Sequence, residues 1–288
     1  MFNHVDAFIH CMSLLFEKTQ SRLDTLAGEA AGVIGVHAFD PMEPDLEFTV
    51  NADMLFPTAS IIKVPILLEF YNQVSSGVLD PEEIHTLNDD VKVGGSGVLQ
   101  YMSTKTQLTL EDWARLMINL SDNTATNHMI DVVGMTEVNK LLEKMGFKKT
   151  RLVRKMQADV DPDKVENLTT PREFSRLMGI ILGHDGLDEK VCEKTLDVLK
   201  LYKDGVIFEA LPEDYVVADK SGWMGGVQCD SGIVYAEKPY IVTVMASHIP
   251  AWDRNVYMTR ETLKQIVSEI HDYYQNKTTT SRYGRRTS

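Results

Sequence analysis

Apolar residues recur with a helical period at the start of the chain. Val5, Phe8, Ile9, Met12, Leu15, Phe16 and Leu23 share one face, which predicts an amphipathic helix over residues 5–26. Two strand-like runs follow at 32–39 and 46–51, parted by a turn from Asp40-Pro41 to Pro44-Asp45. From Pro57-Thr58-Ala59-Ser60 to about residue 74 the chain is apolar nearly all round, the pattern of a buried central helix. The middle reads as helix throughout: 110–120 behind a Thr109 cap with Glu111 and Asp112 in its first turn, then 123–133, 136–145, 171–182 and 187–202, with Gly134, Gly146 and Gly186 as stops. After Pro212 the pattern changes to β-branched, turn-bounded strands at 215–218, 228–236 and 240–248. A last helix covers 253–274, and the Thr-rich tail from Asn276 is expected to fray.

This order predicts an α+β fold. Strands from both ends of the chain form one five-stranded antiparallel sheet, flanked by the terminal helices, with an all-helical lobe inserted. Residues 1–54 and 213–288 make the sheet lobe and 55–212 the helical lobe. A ligand is expected in the cleft between them.

The 288 residues suffice for such a core, and 43% hydrophobic with 25% charged residues is ordinary for a globular chain. A formal net charge of -13 argues against a nucleic-acid surface, which needs a basic stripe. No apolar run reaches the ~18 residues of a membrane span. The first residues lack the features of a secretory signal, so a cytoplasmic location is expected, or a periplasmic or secreted one if the start has been trimmed. Cys11, Cys192 and Cys229 are odd in number and widely spaced, and read as reduced thiols. The eight histidines show no ligand spacing, so neither a metal nor another cofactor is expected, and the protein is read as a monomer.

Three short peptides carry the chemistry. Ser60-Ile61-Ile62-Lys63 places a hydroxyl at the start of the buried helix and an amine one turn later. The N–H groups of that helix start suit a nucleophile whose target oxygen becomes anionic. Lys63 can deprotonate Ser60 if burial and a second cation, Lys220, lower its pKa. The plainer alternative is a capping serine and a solvated lysine. In Ser121-Asp122-Asn123, either Ser121 or Asp122 caps the next helix, or Ser121 relays a proton while Asn123 holds Lys63 and a substrate amide. Lys220-Ser221-Gly222 lies at the end of a strand. It offers a cation, a hydroxyl and a bare backbone to a substrate carboxylate, with the Trp223 N–H completing an oxyanion hole beside that of Ser60. The alternative there is an edge lysine that blocks aggregation.

Taken together and in this order, the three peptides resemble those of the class A β-lactamases and the wider penicillin-recognising serine hydrolases. The likeness spans nearly the whole chain and extends to Thr124-Ala125-Thr126-Asn127 and Thr169-Thr170-Pro171. It implies a β-lactam, or an acyl-peptide or ester with a carboxylate, as a small-molecule substrate. Ser60 would be the nucleophile, Lys63 the base, Ser121 the proton relay, and Lys220 and Ser221 the carboxylate anchors. One element differs. The family carries, in the loop before Thr-Thr-Pro, a Glu that activates the deacylating water. Counted from Arg154, that position holds Met156, leaving Asp159 and Glu166 as the candidate carboxylates. The strand after Lys220 also offers Cys229-Asp230-Ser231 where an arginine is common in the family. Acylation with slow deacylation is therefore expected, since one water-activating base is worth ~10²–10⁴-fold. A D-alanyl peptidase, esterase or amidase of the penicillin-binding kind is the alternative, as is a binding module that keeps the fold without turnover.

Overall fold

A computed structural model describes residues 4–157, 166–201, 204–251, 253–280, 285 and 286, with side-chain surroundings from residue 12 onward in the first helix. Helix α1 (His4–Glu29) leads into β1 (Val33–Phe39) and β2 (Glu47–Val50), the strands anticipated at 32–39 and 46–51. After β3 (Phe56–Pro57), a 3-10 turn (Ala59–Ile62) opens onto α2 (Lys63–Ser75). Ser60 therefore stands in a tight turn ahead of the helix, not on the helix expected from residue 57. This puts Pro65 in the first turn of α2, where its missing N–H has no intrahelical partner to lose.

The helical part continues with β4 (Ile84–Thr86) and β5 (Gln107–Thr109), a small hairpin of its own. Helices α3 (Leu110–Asn119), α4 (Asn123–Val133) and α5 (Met135–Lys144) follow. Thr109 caps α3 by accepting the Asp112 N–H, and Asp122 caps α4 by accepting that of Ala125. Strand β6 (Leu168–Thr169) pairs with β3, fastening the long loop to the segment before Ser60. Helix α6 (Pro171–Gly183) has Thr170 as cap and Pro171 in its first turn; α7 (Glu189–Lys200) and the short α8 (Val206–Ala210) precede the second group of strands.

Strands β7 (Val216–Met224), β8 (Val227–Tyr235) and β9 (Tyr240–Ser247) complete a five-stranded antiparallel sheet in the order β2-β1-β9-β8-β7. β7 runs six residues beyond its expected end at Ala218, because Gly222 and Trp223 continue to pair with Cys229 and Gln228. Lys220-Ser221-Gly222 thus lies within the strand rather than at its end. Helix α9 (Asp253–Thr279) also outlasts expectation: Lys277 bridges Asp40 and Glu43 at 3.3 and 3.0 Å, tying down a segment expected to fray.

Two hydrophobic cores lie against the two faces of the sheet. Ile34, Val36, Val217, Val242 and Val244 pack with Leu23 of α1 and Leu263, Ile266 and Ile270 of α9. Ile233, Ile241 and Met245 point the other way, into the helical part built around α2, whose residues from Lys63 to Tyr71 are all buried. Among the described residues no helix is long and apolar enough to cross a membrane.

Candidate active site

The 3-10 turn, the corner between α3 and α4, and β7 come together on the helical side of the sheet. At Gly222 a Cβ would lie 2.7 Å from the Ser60 backbone nitrogen, so only a bare backbone lets the strand and the turn approach this closely. Ala59 and Ser121 both hold left-handed backbone, at φ 43° and 49°, a strained conformation for residues with a Cβ. The first aims the turn that carries Ser60. The second turns both the carbonyl and the hydroxyl of Ser121 toward one amine.

That amine is Lys63. Its Nζ donates to Ser121 O at 2.7 Å, Ser121 Oγ at 3.0 Å and Asn123 Oδ1 at 3.1 Å. Asn123 is fixed in turn by donating to Gly94 O at 3.1 Å. Asp122 points away from the amine and organises the corner, accepting the N–H groups of Val98, Leu99 and Ala125 at 2.7, 2.9 and 2.9 Å. Burial, and then the charge of Lys220, lower the Lys63 pKa well below the usual lysine value, against a smaller opposing pull from Asp122. Burial likewise lowers Lys220, to about 8, with Asp230, Asp219, Cys229 and Asp204 pulling the other way. Lys220 Nζ donates to Ser221 O at 2.7 Å.

A cleft of about 420 Å³ opens above these groups. Its lining comes from Ala59 and Ser60, Gly95 and Ser96, Asn123, the loop residues Arg154, Met156, Gln157, Glu166 and Asn167, and Trp223 to Gly225 at the end of β7. A cavity of similar volume beside α9 is lined by Ser268 and His271, but the Ser268 hydroxyl is spent on Ala210 O and Lys264 O at 3.2 and 3.0 Å and His271 Nδ1 meets the Tyr240 hydroxyl at 2.9 Å. Lys63 and Lys220 are fully buried below the cleft surface, and Trp223 is 67% exposed at its rim. Ser221 turns elsewhere, its hydroxyl donating to Asp204 O at 3.1 Å.

The loop residues differ from one another in what they can do. Met156 is buried against the cleft, its backbone clamped by Asn127, which accepts the Met156 N–H at 2.8 Å and donates to its carbonyl at 3.2 Å. Glu166 does reach the cleft. Both its oxygens are engaged, however: Arg154 Nε and Nη2 donate to them at 2.7 and 2.8 Å, and the Asn167 N–H donates at 2.9 Å. Asp159 lies outside the described residues. Sequence reasoning missed the Gly94–Gly97 segment and Asn167, and named Asn127 in a family-like peptide without a role. The signal for the first was the run Gly94-Gly95-Ser96-Gly97, which takes φ of 91° at Gly95 and 101° at Gly97.

A hydroxyl, a neutralisable amine, a second hydroxyl and a buried cation around one cleft suit acyl transfer. Residues 18–274 match the sequence profile described as the beta-lactamase enzyme family. A β-lactamase of Streptomyces albus G is 26% identical over 243 residues, covering 79% of this chain and 76% of that protein. The crystal structure of a β-lactamase from Sphaerobacter thermophilus superimposes with a TM-score of 0.78 at 26% identity, covering 92% of this chain and 96% of the other. A mutant of PBP-A, solved as an acyl-enzyme complex with penicillin G, gives a TM-score of 0.78 at 27% identity, covering 91% and 97%.

Proposed function

This chain belongs to the beta-lactamase enzyme family and is a hydrolase of the serine β-lactamase type; from that premise we propose that it opens the β-lactam amide through an acyl-enzyme on Ser60 and releases the acyl group slowly. The observation that carries the reading is the surroundings of Lys63, a buried amine held by three neutral oxygens with a second cation close by. A lysine so placed gives up its proton readily and can then accept one from the Ser60 hydroxyl.

Ser60 Oγ attacks the lactam carbonyl carbon as its proton passes to Lys63 Nζ. The carbonyl oxygen becomes anionic and is held by the backbone N–H groups of Ser60 and Trp223. As the C–N bond breaks, the Ser121 hydroxyl hands a proton to the departing nitrogen and recovers one from Lys63. Lys220 attracts the substrate carboxylate, and Asn123 orients the amide side chain. Release needs an activated water. Met156 at the cleft has no proton-accepting group, and the Glu166 carboxylate is engaged by Arg154 and the Asn167 N–H, which supports slow hydrolysis by the ~10²–10⁴-fold that one base is worth. The same two features favour a second reading, a penicillin-binding peptidase or esterase for which β-lactams are incidental. The PBP-A mutant's capture with penicillin G is compatible with both.

Intact-mass spectrometry after mixing with penicillin G, timed over minutes to hours, tests the proposal. An adduct that accumulates, persists and is absent from Ser60→Ala is expected. An adduct on Ser60→Ala, or neither adduct nor penicillin loss with the wild type, refutes acylation at Ser60. Fast penicillin loss with no accumulating adduct refutes slow release. Efficient turnover of a D-alanyl ester would select the second reading.

A further inference from the structure

Side chains alternate along β7, so Lys220 and Gly222 share the cleft face while Asp219 and Ser221 share the opposite one. Ser221 is paired in register with Asp230 of β8, and Asp219 with Gly232, which makes Asp219 and Asp230 diagonal neighbours on that opposite face. Both are fully buried. Gly205, in the turn entering α8, covers them: a Cβ there would lie 2.0 Å from Asp219 Oδ2 and 2.5 Å from Asp230 Oδ2. Two carboxyl oxygens therefore converge on one point away from water. Two buried carboxylates this near each other resist ionising together, which favours a proton retained on one of them.

Their surroundings agree. Asp230 Oδ2 accepts the Ile207 N–H at 2.9 Å, whereas Asp230 Oδ1 has no hydrogen-bond donor among the described residues. Burial pushes Asp230 up to about 6, against the Ile207 and Ser231 N–H groups, Lys220 and Arg260. Among the described residues, the charged and titratable groups around the pair include Lys220 on β7, the Cys229 thiol on β8, Asp204 and Glu209 at α8, and Arg260 on α9. Arg260 pairs with Glu209 at 2.6 Å and lies 4.0 Å from Asp204, so its charge is largely matched. Among the described residues, Lys220 is a second cation that the charge of the pair favours.

We propose that Asp219 and Asp230 form a proton-sharing carboxyl pair that positions Lys220 and keeps its ammonium charged for the carboxylate of an acyl substrate. The inference rests on Lys220 being the carboxylate anchor proposed above. Neither aspartate touches the substrate; both are positioning residues acting through Lys220.

The test uses Asp219→Asn, Asp230→Asn and the double variant, labelled with a fluorescent penicillin and, separately, with its carboxylate methyl ester, across about pH 5 to 10. Removing the negative charge disfavours the ammonium, so Lys220 loses its proton at lower pH. The alkaline limb of carboxylate-penicillin labelling should move down by about one pH unit in the double variant and by less in each single one. Ester labelling should not move. A double variant whose limb stays in place, or an ester that shifts equally, overturns the proposal. Infrared spectroscopy gives a second readout that needs no substrate and no double variant. Near pH 5, where ordinary aspartates have ionised, the wild type should show the carbonyl band of a buried protonated carboxyl, displaced in frequency or lost when either single variant removes its partner. Absence of that band in the wild type overturns the pair itself. The band present in a protein that no penicillin labels overturns the anchoring role and the acylation reading, leaving the carboxyl pair standing.

Discussion

Gly222→Ala tests whether catalysis depends on the close approach of β7 to the Ser60 turn. The new methyl group would lie 2.7 Å from Ser60 N, 2.8 Å from Cys229 Sγ and 3.0 Å from Ala59 Cβ. Ordinary heavy-atom contacts lie at about 3.5–4.0 Å, so strand and turn must separate by roughly 0.5–1 Å. None of the three neighbours yields easily. Ser60 N is backbone, Ala59 already holds φ 43°, and Cys229 Sγ is anchored to Thr58 O at 3.1 Å. The separation would pull apart the N–H groups of Ser60 and Trp223, and losing one oxyanion donor costs about 10²–10³-fold, or about 2.7–4 kcal/mol of transition-state stabilisation. Overpacking should lower folding stability by a further ~1–3 kcal/mol. The second-order rate of fluorescent-penicillin labelling measures the first effect and a urea melt the second. A folded Gly222→Ala protein acylated within about threefold of the wild-type rate would refute the claim that this contact shapes the oxyanion site.

Met156→Glu should shorten the lifetime of the penicillin adduct, by up to ~10²-fold or more if the carboxylate reaches the water beside acylated Ser60. An unchanged lifetime would mean that position 156 does not face the ester. Asp122→Ala leaves the N–H groups of Val98, Leu99 and Ala125 without their acceptor. A loss of about 3–5 kcal/mol in urea unfolding is expected, and one below about 1 kcal/mol would show that the corner is not held through Asp122. Labelling by a carboxylate-bearing penicillin should fall as pH rises through about 8, because Lys220 is charged below that pH and neutral above it. On the acid side it should rise as Lys63, lowered from its usual range, becomes neutral. A rate that stays level well past pH 8 would remove Lys220 from carboxylate recognition.

The sheet was legible because its strands are β-branched runs bounded by turns, and the helical part because its helices are long, capped and stopped by glycine. What escaped was shorter or depended on distant partners. β7 reads as ending at Ala218 because Asp219, Lys220 and Ser221 are polar, yet the strand continues, since one of its faces lies beneath the cleft and the other is covered by the α8 turn. α8, five residues long, is too short to display a period. The three motif peptides could be named from the sequence, but not that Ser121 needs φ 49° to present two oxygens to one amine. Counting along the loop offered Glu166 as a candidate carboxylate but not the place to which the loop brings it. The loop backbone is folded back by Asn167, whose Oδ1 accepts the N–H groups of Val153 and Arg154 at 2.7 and 3.1 Å. Position along a loop measures contour length, and side-chain clasps of this kind decide where the contour returns.

Two lysines buried in one site would ordinarily repel each other and both lose their protons. Desolvation is the largest influence on each, so it cannot by itself assign them different tasks. Their neighbours do. Lys63 is met by a carbonyl, a hydroxyl and an amide oxygen, none of which carries a full charge, and the carboxylate that opposes its loss of a proton among the described residues, Asp122, is turned toward backbone N–H groups. Lys220 has Asp230 and Asp219 behind it, and these favour its ammonium form. The neighbours of Lys220 thereby favour its ammonium form more than those of Lys63 do, which is what the proposed roles of base and carboxylate anchor require. The division of labour is set by which face of β7 carries carboxylates, a property of strand register rather than of the Ser-x-x-Lys and Lys-Ser-Gly peptides themselves.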